Sequence, residues 1–176
     1  MARSVRQLQR AGRRMISYPV GDSGQTLIFA RNVLEHMDAH RQTSWRAPEA
    51  GGQLFARIDG PRISIVEATG PRPTDRRRRC SYVPDRKAEQ AEIDQRFRLG
   101  LQFIGDWHTH PEEWPRPSSI DLANVTECVS RSTHNLGGFV LAIRGTGTFP
   151  QGLFVGIAST SSIADLHPDR QSVSTG

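Results

Sequence analysis

The stretch around two closely spaced histidines constrains this chain most. An apolar run that begins at Leu101 ends in the sequence Trp107-His108-Thr109-His110-Pro111. In a β-strand, residues i and i+2 point to the same face, roughly 6 to 7 Å apart, so both imidazoles can turn toward one point while Thr109 faces away. The fold must therefore keep this strand end accessible to whatever the two histidines bind.

A carboxylate follows the histidines at a short distance. After a proline-rich turn come Ser118 and, three residues later, Asp121, in the first turn of a predicted helix. Two nitrogens and one carboxylate oxygen leave a fourth tetrahedral position open for water, which is the pattern of catalytic zinc, with one ion per chain. Ser118 and Asp121 also fit a helix capping box, and capping and ligation are compatible uses of one helix start.

A hydrolytic zinc site also needs a general base within hydrogen-bond reach of the water. Three carboxylates lie close in sequence to the histidines: Asp106, Glu112 and Glu113. Glu49 is the stronger candidate, because it begins the predicted strand from Glu49 to Ile58 just before Gly51 and Gly52, and glycine within a strand indicates a close approach of backbone. Ser118 is the candidate donor to a developing oxyanion.

The complete spacing resembles a known family. The sequence from His108 to Asp121 matches the His-x-His-Pro-x6-Ser-x2-Asp signature of the JAMM, or MPN-domain, metalloproteases. The segment from Glu49 to Leu54 resembles that family's Glu-x-x-Gly-x-Leu strand, and the likeness covers about residues 26 to 158. It implies zinc ligation by His108, His110 and Asp121, a general acid/base role for Glu49, and stabilisation of the tetrahedral intermediate by Ser118.

Within the family, the context of the histidines is similar to that of short bacterial members found beside E1- and E2-like enzymes in CBASS-type anti-phage systems. This resemblance implies a deconjugase that cleaves the isopeptide or peptide bond after the C-terminus of a conjugated protein. The segment from Met1 to Ile16 is basic and lacks the apolar region of a secretory signal, so we expect a cytoplasmic protein. The expected substrate is a ubiquitin-like protein or a nucleotide cyclase, and the expected pathway partners are the E1/E2-like enzymes. Two other readings stay open: a catalytically silent MPN-type binding scaffold, and a JAMM peptidase that processes a sulfur-carrier or phage protein.

The basic composition raises nucleic acid as a further partner. The formal net charge is +5, but all of the 23 basic residues except Lys87 are arginine, a bias that genome composition also produces. Aromatic residues are not interleaved with these arginines as single-strand binding requires. We therefore do not expect nucleic-acid binding, and no apolar run approaches the ~18 residues of a membrane span.

Two features near the predicted site are candidates for contact with the substrate. The run Arg76, Arg77, Arg78 and Arg79 is expected in a surface loop between residues 69 and 79, where it either is merely solvated or meets an acidic partner. Trp114 lies in the loop between the ligands, and both packing and substrate contact stay open for it.

The resemblance and the alternating elements predict an α/β fold. We expect a single JAMM/MPN, cytidine-deaminase-like domain at residues 25–158, with a mixed, curved sheet flanked by helices. Residues 1–24 are expected to form a basic, partly ordered arm, and residues 159–176 a disordered, serine-rich tail. The predicted helix from Asp85 to Leu99 has apolar residues mostly on one side, among them Phe97.

Overall fold

A computed structural model describes residues 15–131, 138–160 and 162–169. This part of the chain contains ten strands and three helices. The strands are β1 (Ile16–Pro19), β2 (Thr26–Phe29), β3 (Gly51–Asp59), β4 (Arg62–Ala68), β5 (Arg76–Arg78), β6 (Ser81–Val83), β7 (Gln102–Thr109), β8 (Phe139–Arg144), β9 (Leu153–Ala158) and β10 (Ile163–Asp165). The helices are α1 (Arg31–Ala39), α2 (Arg86–Arg98) and α3 (Ser119–Arg131).

Eight strands form one mixed sheet, in the order β1-β2-β4-β3-β7-β8-β9-β10. The pairs β2/β4 and β7/β8 are parallel, and the other neighbours are antiparallel. The histidine strand β7 lies in the middle, between β3 and β8. Strands β5 and β6 form a separate two-stranded hairpin. The predicted α/β fold with a mixed sheet and flanking helices is confirmed.

The sheet is buried on both faces near its centre. Along β8, Val140 and Ala142 belong to the core cluster that includes helix α1, while Leu141 and Ile143 belong to the cluster that includes α3. Successive strand residues point to opposite faces, so α1 and α3 cover opposite sides of the sheet. Helices therefore cover both faces of the sheet at β8, next to the histidine strand β7.

Helix α2 differs from its prediction. Phe97 is 72% exposed, and the buried side chain of this helix is Glu89. Ion pairs attach α2 instead: Arg72 Nη2 lies 2.6 Å from Glu92 Oε2, and Arg96 Nη2 lies 2.7 Å from Glu67 Oε1. The apolar residues of α2 are too dispersed to make a packing face, so charged contacts to β4 and to the loop after it hold the helix.

Three short strands lie where sequence analysis predicted none. The arginine run forms β5, paired with β6, and is therefore not all loop. Strand β1 lies within the predicted arm and buries Ile16 and Tyr18 against the core. Strand β10 pairs with β9 inside the predicted disordered tail. The sheet therefore extends beyond residues 25–158, while residues 1–14 and 170–176 lie outside the described part.

None of the helices in the described residues combines the length and the apolar character that crossing a membrane requires.

Candidate metal centre and active site

Three side chains of the predicted site converge on one point. The Nε2 atoms of His108 and His110 lie 3.2 Å apart. Asp121 Oδ1 lies 3.2 Å from His108 Nε2, and Asp121 Oδ2 lies 3.3 Å from His110 Nε2. A ligand atom from each residue falls within 4.8 Å of the other two. Two imidazole nitrogens and a carboxylate oxygen gathered this closely form a donor set that fits a metal ion.

The electrostatics of the cluster favour an ionised carboxylate. Burial acts to raise the pKa of Asp121, but hydrogen bonds from His108 and His110 outweigh it and hold the pKa well below its ordinary value. Burial acts to lower the pKa of His110, and the Asp121 carboxylate beside it raises the pKa overall. The carboxylate is thus present as an anion ready to neutralise a cation between the imidazoles.

Asp121 reaches the histidines from the first turn of α3. Its Oδ2 accepts a hydrogen bond from the Ser118 N–H at 2.7 Å, and Ser118 Oγ accepts one from the Asp121 N–H at 3.2 Å. This reciprocal pair is the capping box that the sequence predicted. One carboxylate therefore both caps the helix and faces the two imidazoles.

Thr109, between the two histidines, joins their strand to the segment that carries Glu49. Its N–H donates to Ala50 O at 2.8 Å, and its Oγ1 accepts from the Ala50 N–H at 2.9 Å. The same hydroxyl donates to Gln42 Oε1 at 3.2 Å, and Thr109 is fully buried. Sequence analysis placed Thr109 facing away from the ligands but missed this role, since its partners lie 59 and 67 residues away.

We expect Thr109→Val to lower the free energy of unfolding by about 1–3 kcal/mol, because the buried Ala50 N–H and Gln42 Oε1 would lose their partner. Thr109→Ser keeps the hydroxyl and is expected to lose less. Urea unfolding of the two variants and the wild type measures the difference. A loss in Thr109→Val no larger than the loss in Thr109→Ser would show that the hydroxyl contributes no more than the methyl group.

Glu49 borders the same site from the other side. It is half-buried and lines a cavity of about 100 Å³ together with His108 and Asp121. Burial raises the pKa of its carboxyl, while the nearby His108 and His110 act to lower it. Its position next to Ala50, which Thr109 holds, places it across from the histidine pair.

Two glycines let the backbone after Glu49 pass between its neighbours. A Cβ on Gly51 would lie 2.8 Å from both Trp107 O and the Tyr82 ring. A Cβ on Gly52 would lie 1.8 Å from Thr69 O, which no substitution can accommodate without moving backbone. The close approach that the glycine pair predicted is therefore present.

The other carboxylates near the histidines are placed differently. Asp106 faces the same cavity, where burial and the nearby Glu89 raise its pKa to about 7. Glu112 is 60% exposed in its side chain, with Oε2 3.4 Å from His110 Nδ1. Glu113 is exposed. Of the four, Glu49 and Asp106 line the cavity beside the ligands.

The candidate substrate-contacting residues are mostly exposed. Trp114 is 68% exposed. Arg76 and Arg78 of β5 and the following Arg79 are exposed as well, whereas Arg77 between them is half-buried and turns toward Glu49. Strand alternation turns Arg77 inward and its two neighbours outward. A surface loop, which the sequence predicts for this run, has no such alternation.

Trp107 supports the ligand strand from behind. It is 1% exposed, and its indole N–H donates to Thr69 O at 2.9 Å. The rings of His36 and His40 pack against it with centroids 5.4 and 5.8 Å away. These two histidines of α1 and its C-terminus therefore have a packing role that no sequence motif indicated.

Comparison with known families gives one match over most of the fold. Residues 30–153 match the family Prok-JAB, described as prokaryotic homologs of the JAB domain. The matched range contains every residue of the ligand cluster together with Glu49 and Ser118.

The chain is also similar to individual proteins. It is 29% identical over 106 residues to the CD-NTase/cGAS isopeptidase of Escherichia coli (strain TW11681), covering 58% of this chain and 68% of that protein. It is 33% identical over 110 residues to the CD-NTase/cGAS isopeptidase of Pseudomonas aeruginosa (strain BWHPSA011 / Pa011), covering 61% and 70%. The solution structure of protein DSY2949 from Desulfitobacterium hafniense superposes with a TM-score of 0.56 at 19% identity, covering 78% of this chain and 87% of that one. This last likeness concerns the fold alone.

Proposed function

The chain belongs to the family of prokaryotic homologs of the JAB domain, and on that premise we propose that it is a zinc-dependent isopeptidase or peptidase. Its proposed reaction is hydrolysis of the bond that follows the C-terminus of a conjugated protein. The names of the two isopeptidase relatives support a deconjugating role.

One observation carries the proposal. His108, His110 and Asp121 present three ligand atoms within 4.8 Å of one another, and Glu49 lines the cavity beside them. Three protein ligands leave a coordination position for substrate or water, whereas a structural site is closed by four. The cluster holds no sulfur ligand, because Cys80 and Cys128 are not among its members.

The mechanism divides between the ion and the chain. His108, His110 and Asp121 would hold a zinc ion, which would supply Lewis acidity and would lower the pKa of water in the site to near 7. The Glu49 carboxylate takes a proton from the attacking water as that oxygen bonds to the carbonyl carbon. When the C–N bond breaks, the same carboxyl gives the proton to the leaving lysine or backbone amine. One water is consumed, and a carboxylate and an amine are released.

Ser118 is proposed to stabilise the oxyanion. Its Oγ accepts from the Asp121 N–H, and its hydroxyl also helps to lower the pKa of the Asp121 carboxyl. In the proposed mechanism this hydroxyl rotates and donates to the carbonyl oxygen of the substrate. A donor aimed at developing charge is worth most in a partly water-excluded site.

The proposed substrate is a nucleotide cyclase of the CD-NTase class that E1/E2-like enzymes have joined through its C-terminus to a target. The names of the relatives support the cyclase, and a ubiquitin-like protein is the alternative of the same chemistry. We infer that the exposed Arg76, Arg78, Arg79 and Trp114 contact the conjugate.

A reconstituted conjugate tests the proposal. Purified protein is incubated with a CD-NTase linked through its C-terminus to a lysine of a carrier, and in parallel with a ubiquitin-like domain linked in the same way. We expect about one zinc per chain by elemental analysis and release of an intact C-terminal carboxylate by mass spectrometry. A zinc chelator should stop cleavage, and added zinc should restore it.

Cleavage that survives complete metal removal would overturn the zinc mechanism. Tight binding of the conjugate by the zinc-loaded protein with no turnover would favour a binding scaffold. Cleavage of a linear fusion, with none of the isopeptide-linked conjugate, would favour a processing peptidase.

A further inference from the structure

The main chain at Glu49 is held from outside its own sheet. The regular pairing of β3 with β7 begins at Gly51, so Glu49 lies beyond the ladder. Its N–H donates to Arg78 O at 2.7 Å, and its carbonyl oxygen accepts from Arg77 Nε at 2.7 Å. Strand β5 therefore holds the residue on both sides.

These contacts fix both peptide planes next to the Glu49 Cα atom. Arg78 O fixes the plane before it through the N–H. Arg77 fixes the plane after it at the oxygen, and Thr109 Oγ1 fixes that same plane at the Ala50 N–H. With the flanking φ and ψ angles set, the direction of the Cα–Cβ bond, and hence the reach of the carboxylate, is set as well.

The hairpin that supplies Arg77 is itself anchored. The buried Asp75 carboxylate accepts hydrogen bonds from the Tyr82 hydroxyl at 2.9 Å, the Arg72 N–H at 2.6 Å and the Asp85 N–H at 2.9 Å. The Tyr82 ring packs over Gly51. Because these contacts hold the hairpin in place, the bond from the Arg77 side chain can hold the Glu49 main chain in turn.

Arg77 is distinct from its two neighbours in β5. It is half-buried, while Arg76 and Arg78 are exposed on the opposite face of the strand. The planar guanidinium of Arg77 suits a directed bond to a carbonyl in a way that a lysine ammonium does not reproduce.

We propose that Arg77 is a positioning residue that sets the Glu49 carboxylate against the His108, His110 and Asp121 cluster by holding the Glu49 peptide group. This inference rests on the proposed function, in which Glu49 is the general base. Arg77 acts through Glu49 and does not itself touch the reacting atoms.

The three consecutive arginines provide a matched test. Arg77→Ala, Arg77→Lys, Arg76→Ala and Arg78→Ala are compared for kcat and KM on the cyclase conjugate, for zinc content and for thermal unfolding. Because a misplacement of about 1 Å costs about 100-fold, we expect Arg77→Ala to lower kcat about 10- to 100-fold, with KM within about twofold and zinc unchanged. Arg77→Lys should recover part of the rate. Arg76→Ala and Arg78→Ala remove side chains that are proposed to contact the conjugate, so their loss of activity should appear as a higher KM, whereas the loss in Arg77→Ala should appear in kcat.

A second measurement does not depend on turnover. Amide hydrogen exchange of the zinc-loaded protein, followed by NMR, should show the Glu49 and Ala50 N–H groups exchanging about tenfold faster or more in Arg77→Ala, because local opening becomes easier. The same groups should be unchanged in Arg76→Ala. If Arg77→Ala does not fold, Arg77→Lys replaces it in both measurements.

The outcomes separate this inference from the proposed function. Unchanged kcat and exchange in Arg77→Ala, or equal losses in Arg76→Ala, would overturn the positioning role. Loss of zinc in Arg77→Ala would also overturn it, by showing a general structural effect. An inactive wild type with faster exchange in Arg77→Ala alone would contradict the proposed function and still support the anchoring of Glu49.

Discussion

Replacing Glu49 by glutamine is expected to lower the rate of cleavage by about 100- to 10,000-fold, the contribution typical of a positioned general acid/base. Glutamine keeps the size and the hydrogen-bonding capacity of the side chain, but it cannot take a proton from water. The variant should bind zinc as the wild type does, because Glu49 is not one of the three clustered residues that would hold the ion.

The same substitution should not destabilise the metal-free protein. Burial raises the pKa of Glu49 above its ordinary value. A carboxyl with a raised folded-state pKa contributes stability that is present below its unfolded pKa and is lost as the pH rises through the folded value. Above the unfolded pKa this carboxyl is therefore a cost that a neutral amide removes, and thermal unfolding at pH 7 without metal should occur at an equal or higher temperature.

Glu112→Gln is the matched control for Glu49→Gln. Glu112 is also a carboxylate beside His110, but its side chain is 60% exposed and it does not line the cavity. Cleavage should be nearly unchanged in that variant. A fully active Glu49→Gln protein, or a larger loss in Glu112→Gln, would assign the proton transfer to another group.

Replacing Asp121 by alanine is expected to remove the metal and with it the activity. Outer-shell partners of a metal site are typically worth 10- to 100-fold in affinity, and loss of a direct anionic ligand should cost more than about 100-fold. Metal content after dialysis, measured by mass spectrometry, and the rise of the unfolding temperature on zinc addition both report the loss. Asp121→Ala should show neither bound zinc nor that rise.

Ser118→Ala provides the control for Asp121→Ala, because both substitutions break the same helix cap, at a cost of about 1 kcal/mol each. Only Asp121→Ala should lose metal. Ser118→Ala should keep zinc and lose about 100- to 1,000-fold in kcat, as expected for one oxyanion donor. If Asp121→Ala kept a full complement of zinc, the Asp121 carboxylate of the wild type would serve only to cap the helix.

The elements that sequence analysis predicted correctly are those with a strong local signal. Helix α2 begins at the predicted Asp85, whose carboxylate accepts from the Lys87 and Ala88 N–H groups, and α3 begins at the Ser118–Asp121 box. The ligand cluster was predictable for the same reason, since its spacing lies within 14 residues of sequence.

Other parts depended on contacts that sequence does not display. Strand β5 consists of three arginines, which carry no apolar alternation, and it forms because β6 pairs with it. The bonds that join Thr109 to Ala50 and to Gln42 span 59 and 67 residues. Tertiary partners of this kind decide short strands and buried polar contacts, and a local pattern cannot reveal them.

The glycine passage after Glu49 limits how a protein with this site can be altered. At Gly52 the nearest obstacles to a side chain are all backbone atoms, and at Gly51 they are a backbone oxygen and the Tyr82 ring, so neither position has room for one. A mutant library aimed at new conjugates should leave both positions fixed and randomise exposed positions such as Arg76, Arg78 and Trp114. Substrate choice can then change only through these exposed positions. The geometry around Glu49 stays the same, because the main chain on which it depends is not altered.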